Sequence, residues 1–337
     1  MNDKNRPTLK TIAEMTGLAI TTVSRALSGA PEIALKTRQR VTAVAEEIGY
    51  VPDRAAQRLR TGKTKVITLM LSAHTESLGF GNSLMIGLGR ALEGSGYHLN
   101  ITPCLNKEDE LTPIKDNVRN HLSDGIIFTR TQPFDDRIRY LLDVNHPFIT
   151  YGRSEFSEPH NFVDYDYERF AFDGVKQLVS KGCKKIGLIL PPPTLMNHQL
   201  LRNGFMRGIK ECAVNFEIPE RINSESKSYE IRAWAKNRVM SANCPDGFIC
   251  PGESAYLAIN SGIRDQIPAT KSTPQHHFVV RATSGIIDQL STPVDQISED
   301  IEFAGESLGR LLLESLSNPR QAYNQKITSP IPKFTPS

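Results

Sequence analysis

Two hydrophobic rhythms divide the chain. As far as about residue 50, apolar residues recur at helical spacing. From Val66 onward, short unbroken apolar runs alternate with amphipathic stretches. In the first part, TLKTIAEMTG begins after Pro7 and stops at Gly17, and ITTVSRALSG stops at Gly29. ALKTRQRVTAVAEEIGY then places Val41, Val44, Ala45 and Ile48 at i, i+3, i+4 and i+7. Glycine past the last periodic residue is a helix stop, so the pattern predicts three short helices around one small core. In the second part, KVITLML, YHLNITP, DGIIFT, PFITYG, KKIGLIL, DGFIC and HHFVVRA predict strands. Helices are predicted between them, near 83–94, 108–122, 168–181, 197–213, 229–241, 253–265 and 299–317. Continuous apolar strands separated by helices imply parallel sheets covered on both faces. About 270 residues of such units are enough for two doubly wound subdomains. Ligands in such folds sit at the carboxyl ends of the strands, where subdomains meet.

Within the head, Leu9 to Leu27 has the spacing of helix, tight Gly turn, helix. Val23, Ala26 and Leu27 share the inner face of the second helix. Ile20, Thr21, Ser24 and Arg25 share the outer one. That outer face suits a DNA major groove: Arg binds guanine O6 and N7, hydroxyls bind phosphates or base edges, and an apolar group meets a thymine methyl. Charge points the same way. The whole chain has net charge +3, but residues 1–65 hold twelve Lys and Arg against six Asp and Glu, leaving 28 against 31 in the remainder. A basic head on a mildly acidic body suggests a polyanion partner for the head alone.

Residues 52–64, PDRAAQRLRTGKT, combine helix-forming composition with one large apolar residue, Leu59. Pro52 and Asp53 are start signals, with Asp53 as N-cap. Two turns are too few for a helix to be stable alone.

These stretches resemble a known family. TLKTIAEMTGLAITTVSRALSG, followed by Thr37-Arg38, Gly49-Tyr50-x-Pro52 and Ala56-x-x-Leu59, is similar to the head and hinge of the LacI/GalR family of bacterial transcriptional regulators. The body resembles that family's periplasmic-binding-protein-like core through Asp124-Gly125-Ile126-Ile127, Tyr151-Gly152-Arg153, Val163-Asp164, Lys185-Ile186-Gly187 and Arg202-x-Gly204-Phe205. The fold expected is a small all-α helix-turn-helix head with a hinge helix, joined to an α/β body of two doubly wound parallel-sheet subdomains. Residues 1–51 form the head (motif about 9–28), 52–64 the hinge helix and linker, and 65–337 the effector-binding and dimerisation body, with the chain crossing between its subdomains.

The resemblance implies base contacts for Ile20, Thr21 and Arg25 and phosphate contacts for Thr22 and Ser24. It implies a minor-groove hinge of Arg54, Ala56, Gln57, Leu59 and Arg60, in which Leu59 wedges between base pairs. In the body it implies an effector pocket with Phe80, Arg153 and Arg202, the last reaching into the cleft. Two further pocket candidates are Glu253, at a helix start where the family often has Asp, and Arg281, near a strand end where the family often has Asp. These two departures leave both a neutral sugar and an anionic sugar derivative open. A third departure is Ala19 and Ala34 where the family usually caps its second and third helices with Ser. Alanine cannot accept from the orphan helix N–H groups, which costs about 1 kcal/mol per helix.

The expected protein is therefore a cytoplasmic bacterial homodimer, a repressor binding a pseudo-palindromic double-stranded operator under control of a carbohydrate effector. No cofactor, metal, membrane or catalytic role is expected. GFGNSL lacks the third small residue of a dinucleotide fingerprint, and Asp164, Asp166 and Glu168 read as strand-end carboxylates rather than metal ligands. The N-terminus has no apolar signal region, no apolar run approaches the ~18 residues of a span, and five cysteines form no C-x-x-C. The alternatives are a solute-binding protein without regulatory function and a sugar-modifying enzyme of the doubly wound class.

Overall fold

The computed structural model describes residues 7–51, 58–59, 61–72, 79–106, 109–266, 276–318 and 322–335. The chain divides into two compact units, residues 1–64 and 65–337.

The first unit is helical: α1 (Leu9–Thr16), α2 (Ile20–Leu27) and α3 (Leu35–Glu47). Thr8 and Thr11 start α1 by exchanging backbone-to-hydroxyl bonds of 3.3 and 3.1 Å. Gly17 ends it in the left-handed region (φ 67°), which a side chain would disfavour. Ala19 and Ala34 precede α2 and α3 in extended backbone and supply no side-chain cap. The core is Ile12, Ala13, Val23, Ala26, Val41 and Ala45, edged by Val44 and Ile48 as the i, i+3, i+4, i+7 stripe requires. So few buried side chains, three of them alanines, leave little apolar burial to offset the uncapped helix starts.

The second unit holds two six-stranded sheets. One contains β1 (Val66–Ser72), β2 (His98–Cys104), β3 (Gly125–Phe128), β4 (Phe148–Tyr151), β5 (Phe162–Tyr165) and β11 (Gln325–Thr328), in the order β11-β5-β4-β3-β1-β2. The other contains β6 (Lys185–Leu188), β7 (Asn215–Glu217), β8 (Gly247–Cys250), β9 (His277–Ala282), β10 (Asp295–Ser298) and β12 (Ile331–Lys333), in the order β12-β10-β9-β8-β6-β7. All neighbours are parallel except β10 and β12. In both sheets the strand order reverses beside the first strand, creating the crevice where doubly wound folds bind ligands.

Helices cover both faces. On the first sheet, α4 (Phe80–Leu92) and α11 (Ile301–Ser317) bury Leu84, Leu88, Leu308 and Leu312 against one face. There α5 (Leu111–Arg119) and α6 (Asp136–Asp143) bury Ile114, Ile138 and Leu141 against the other. On the second sheet, α7 (Tyr167–Ser180) and α8 (Met196–Cys212) cover one side, and α9 (Ser228–Arg238) and α10 (Glu253–Gln266) the other. Gly204 lets α8 approach α7 closely, since a Cβ there would lie 2.0 Å from the Glu168 carbonyl oxygen. The chain crosses between sheets three times: after β5, after β10, and between β11 and β12.

All seven expected strands are present. The pattern missed β5, β7, β10, β11 and β12, each of three or four residues. Several carry polar residues buried by pairing, such as Asp164 in β5 and Asp295 and Gln296 in β10. It also missed α6, whose eight residues include Asp136, Arg137, Arg139 and Asp143.

Candidate functional site

The outer face of α2 follows from its inner one. With Val23 and Ala26 buried, the 100° step per residue turns Ile20, Thr21 and Arg25 to solvent and leaves Thr22 and Ser24 half-buried. Arg25 donates through Nη2 to Glu32, a residue of the loop between α2 and α3. The backbone around Glu32 and this guanidinium hold its carboxyl below the usual range. Leu59 is 90% exposed and touches no protein core. The other hinge expectations, Arg54, Ala56, Gln57 and Arg60, lie outside the described residues.

The second site is a cavity of about 300 Å³ between the two sheets of the body, at the carboxyl ends of their strands. Phe80 opens α4 and packs on Tyr151 at the end of β4, ring centroids 5.6 Å apart. Together with Tyr167 and Leu200 they give the cavity aromatic and apolar walls. Arg153 follows β4 and donates to Asp164 of β5. Asp164 also accepts from the Tyr165 amide at 2.8 Å, and its burial lifts the carboxyl above the ordinary carboxylate range despite the arginine. Arg281 of β9 lines the cavity with its Nε 2.6 Å from Glu299 and its guanidinium 5.2 Å from the Tyr167 ring. Burial pushes the Glu299 carboxyl up, and neighbouring Asp300 adds to that. The Arg281 guanidinium is the cation that meets this carboxyl, and its Nη1 also donates to the Pro251 carbonyl at 2.9 Å.

A third arginine was not anticipated. Arg130, after β3, has a left-handed backbone (φ 60°) and reaches across the cleft to Glu225 of the second subdomain, with N···O distances of 3.0 and 2.5 Å. Its Nη1 also donates to Glu110 at 3.1 Å. Glu110 accepts from Arg137 at 2.5 Å and from Ser72 at 2.6 Å, and Arg137 is clamped in turn by Asp135. The network is anchored in the first subdomain, and Glu225 joins it from the second. Arg130 was accessible to the strand-end rule, since it follows DGIIFT directly. Glu225 sits in a loop without periodicity and gave no signal.

Two expected pocket residues are placed elsewhere. Arg202 is exposed on α8 and does not line the cavity. Gly204 fixes the buried face of that helix, and two residues at 100° each turn Arg202 to the opposite side. The side chains of α8 that do reach the cavity are Met196, Asn197 and Leu200. Glu253 is fully buried and absent from the cavity wall. Its two oxygens accept from the amides of Thr283 and Ser284 at 2.7 and 2.8 Å and from their hydroxyls at 3.0 and 3.2 Å. It therefore shapes the turn that follows Arg281. Among the described residues no cluster of His, Cys, Asp and Glu has the geometry of a metal site, and no helix is long and apolar enough to cross a membrane.

Comparison with known proteins assigns both units. Residues 8–53 match bacterial regulatory proteins of the lacI family, and residues 175–335 match a periplasmic binding protein-like domain. The HTH-type transcriptional regulator AglR of Rhizobium meliloti (strain 1021) is 35% identical over 62% of this chain, a stretch that spans 59% of that relative's length. Among solved structures, the Lac repressor dimer bound to operator and the anti-inducer ONPF superposes with a TM-score of 0.78 at 18% identity, covering 97% of each chain. The transcriptional regulator CelR–cellobiose complex superposes with a TM-score of 0.68 at 18% identity, covering 98% of this chain and 99% of that one. The chain therefore joins a head of the lacI family of bacterial regulatory proteins to a periplasmic binding protein-like body.

Proposed function

We propose that this chain is a DNA-binding transcriptional repressor of the bacterial cytoplasm whose operator affinity is set by a neutral carbohydrate held in the cleft of the body. The observation that carries the effector class is charge pairing. Each cavity arginine already faces a carboxylate: Arg153 with Asp164, Arg281 with Glu299, Arg130 with Glu225. A phosphate or a sugar acid would have to displace one of these carboxyls, or share its arginine, to gain an ion pair. The paired groups still present donors and acceptors to hydroxyls, and the Phe80, Tyr151 and Tyr167 rings suit the apolar face of a pyranose. The CelR–cellobiose complex has the same fold.

On the DNA side, two chains present two α2 helices to half-sites one helical turn apart, as a homodimer on a pseudo-palindromic operator. Ile20, Thr21 and Arg25 contact base edges, and Thr22 and Ser24 contact phosphates. The hinge around Leu59 folds on DNA, where the exposed leucine wedges between base pairs from the minor groove. Effector and operator are coupled through the opening and closing of the cleft, and the coupling cannot exceed the difference in their affinities for the two states, typically about 1–3 kcal/mol.

The test is operator binding by purified full-length protein, with the operator selected from randomised DNA, against neutral mono- and disaccharides, sugar phosphates and sugar acids. Release by a neutral saccharide is expected. Release only by an anionic sugar would overturn the charge-pairing argument. DNA binding no stronger than that of residues 66–337 alone would favour a solute-binding protein without regulatory function.

A further inference from the structure

Arg25 does not stand free on the exposed face of α2, because Glu32 engages its Nη2. The loop that carries Glu32 is tied to α2 and α3. Ser28 Oγ and the Ala30 amide both donate to the Arg25 carbonyl, at 3.0 and 3.1 Å. Arg38 of α3 donates to the Gly29 carbonyl at 3.2 Å. Ile33, adjacent to Glu32, packs against the core of the head. A carboxylate on a pinned loop thus holds a guanidinium on a fixed helix.

Stability does not account for this pair. Its side chains are 59% and 44% exposed, and exposed ion pairs contribute only about 0–1 kcal/mol. On a surface that meets phosphates, a carboxylate also lowers affinity for every DNA sequence. Its use lies in geometry. A free arginine samples many rotamers and can satisfy its donors on phosphates or on several bases. Holding Nη2 restricts the rotamer and leaves the rest of the planar fork to meet guanine O6 and N7.

We propose that Glu32 is a positioning residue for sequence recognition, clamping Arg25 in the pose that reads guanine. This rests on the DNA-reading role of α2 given above. The experiment uses full-length protein, an operator selected from randomised DNA, and competition by operators altered one base pair at a time at fixed salt. Arg25→Ala identifies its base pair by losing the preference there, by about fivefold or more. Glu32→Ala reduces the preference at that same base pair by about threefold or more while raising affinity for unrelated DNA. Glu32→Gln, which keeps the length and an acceptor, falls between, and Arg25→Ala with Glu32→Ala loses no more at that base pair than Arg25→Ala alone. If Arg25→Ala alters no base preference, the reading role of Arg25 itself fails. If Arg25→Ala does alter one but Glu32→Ala scales all sequences equally, or sharpens the preference, the positioning role is overturned while the reading of α2 stands.

Discussion

Glu225→Gln should loosen the closed cleft. Glu225 is the second subdomain's contribution to the ion-pair network, its side chain 5% exposed and that of Arg130 13% exposed. Two unit charges about 4 Å apart at an effective dielectric near 20 interact by roughly 4 kcal/mol before desolvation is subtracted. Two features reduce that gross figure. Gln retains one acceptor, and Arg130 keeps Glu110 at 3.1 Å, so no buried charge is orphaned. A net loss of about 1–3 kcal/mol follows, below the cost of breaking a buried pair outright. At about 2 kcal/mol the closed-to-open ratio falls roughly thirtyfold. The assay is small-angle scattering of the ligand-free protein, whose radius of gyration should grow as the cleft opens. On the coupling of cleft closure to effector binding proposed above, effector affinity measured by calorimetry should fall by up to the same factor. Because Glu225 also lines the cavity, a double-mutant cycle with Arg130→Gln separates the latch from direct ligand contact, and the latch predicts a coupling of about 1 kcal/mol or more. Unchanged ligand-free scattering with additive single mutants would refute the reasoning.

Ala19 already has the extended backbone of an N-cap (φ −65°, ψ 146°), so Ala19→Ser should stabilise α2 by about 1 kcal/mol. Amide exchange in α2 should slow about fivefold, and unchanged exchange would mean that another group satisfies those N–H donors. Arg202→Ala should leave effector affinity within about twofold, because the side chain lies on the outer face of α8, whereas Phe80→Ala should weaken it about three- to tenfold through the lost stacking wall. A large loss by calorimetry with Arg202→Ala would contradict the placement of α8. His160 is buried between Phe148 and Phe162, and burial lowers its pKa to about 4. The unfolded imidazole titrates near 6.5, so on acidification the unfolded chain takes up a proton that the folded chain resists. Stability should therefore fall between about pH 6.5 and pH 4, by up to roughly 3 kcal/mol. His160→Gln should flatten that part of the pH dependence in urea unfolding, and an unchanged slope would assign it to another group.

Much of the molecule is legible in its sequence. Local pattern sufficed wherever a residue's role depends on its neighbours in sequence. The Gly17 turn, the split of α2 into Val23 and Ala26 inside and Ile20, Thr21 and Arg25 outside, and the seven apolar strands all follow from periodicity and stop signals. The missing caps at Ala19 and Ala34 were equally readable, because a cap is a local bond. The cleft was readable as a place, since strand ends in doubly wound sheets define it. Its chemistry was not. Arg202 and Glu253 lie near that place in sequence terms, but helix rotation turns the first outward and four short bonds to Thr283 and Ser284 occupy the second. Arg281 could not be assigned to an anionic or a neutral ligand without Glu299, eighteen residues away, whose carboxylate meets it only because β9 and β10 pair. Arg130 and Glu225 are ninety-five residues apart and belong to different subdomains. Elements and faces are set by contacts within a few residues, which the sequence carries in its period. The charge state of the site is set by side chains that only the folding of two sheets against each other brings within a hydrogen bond.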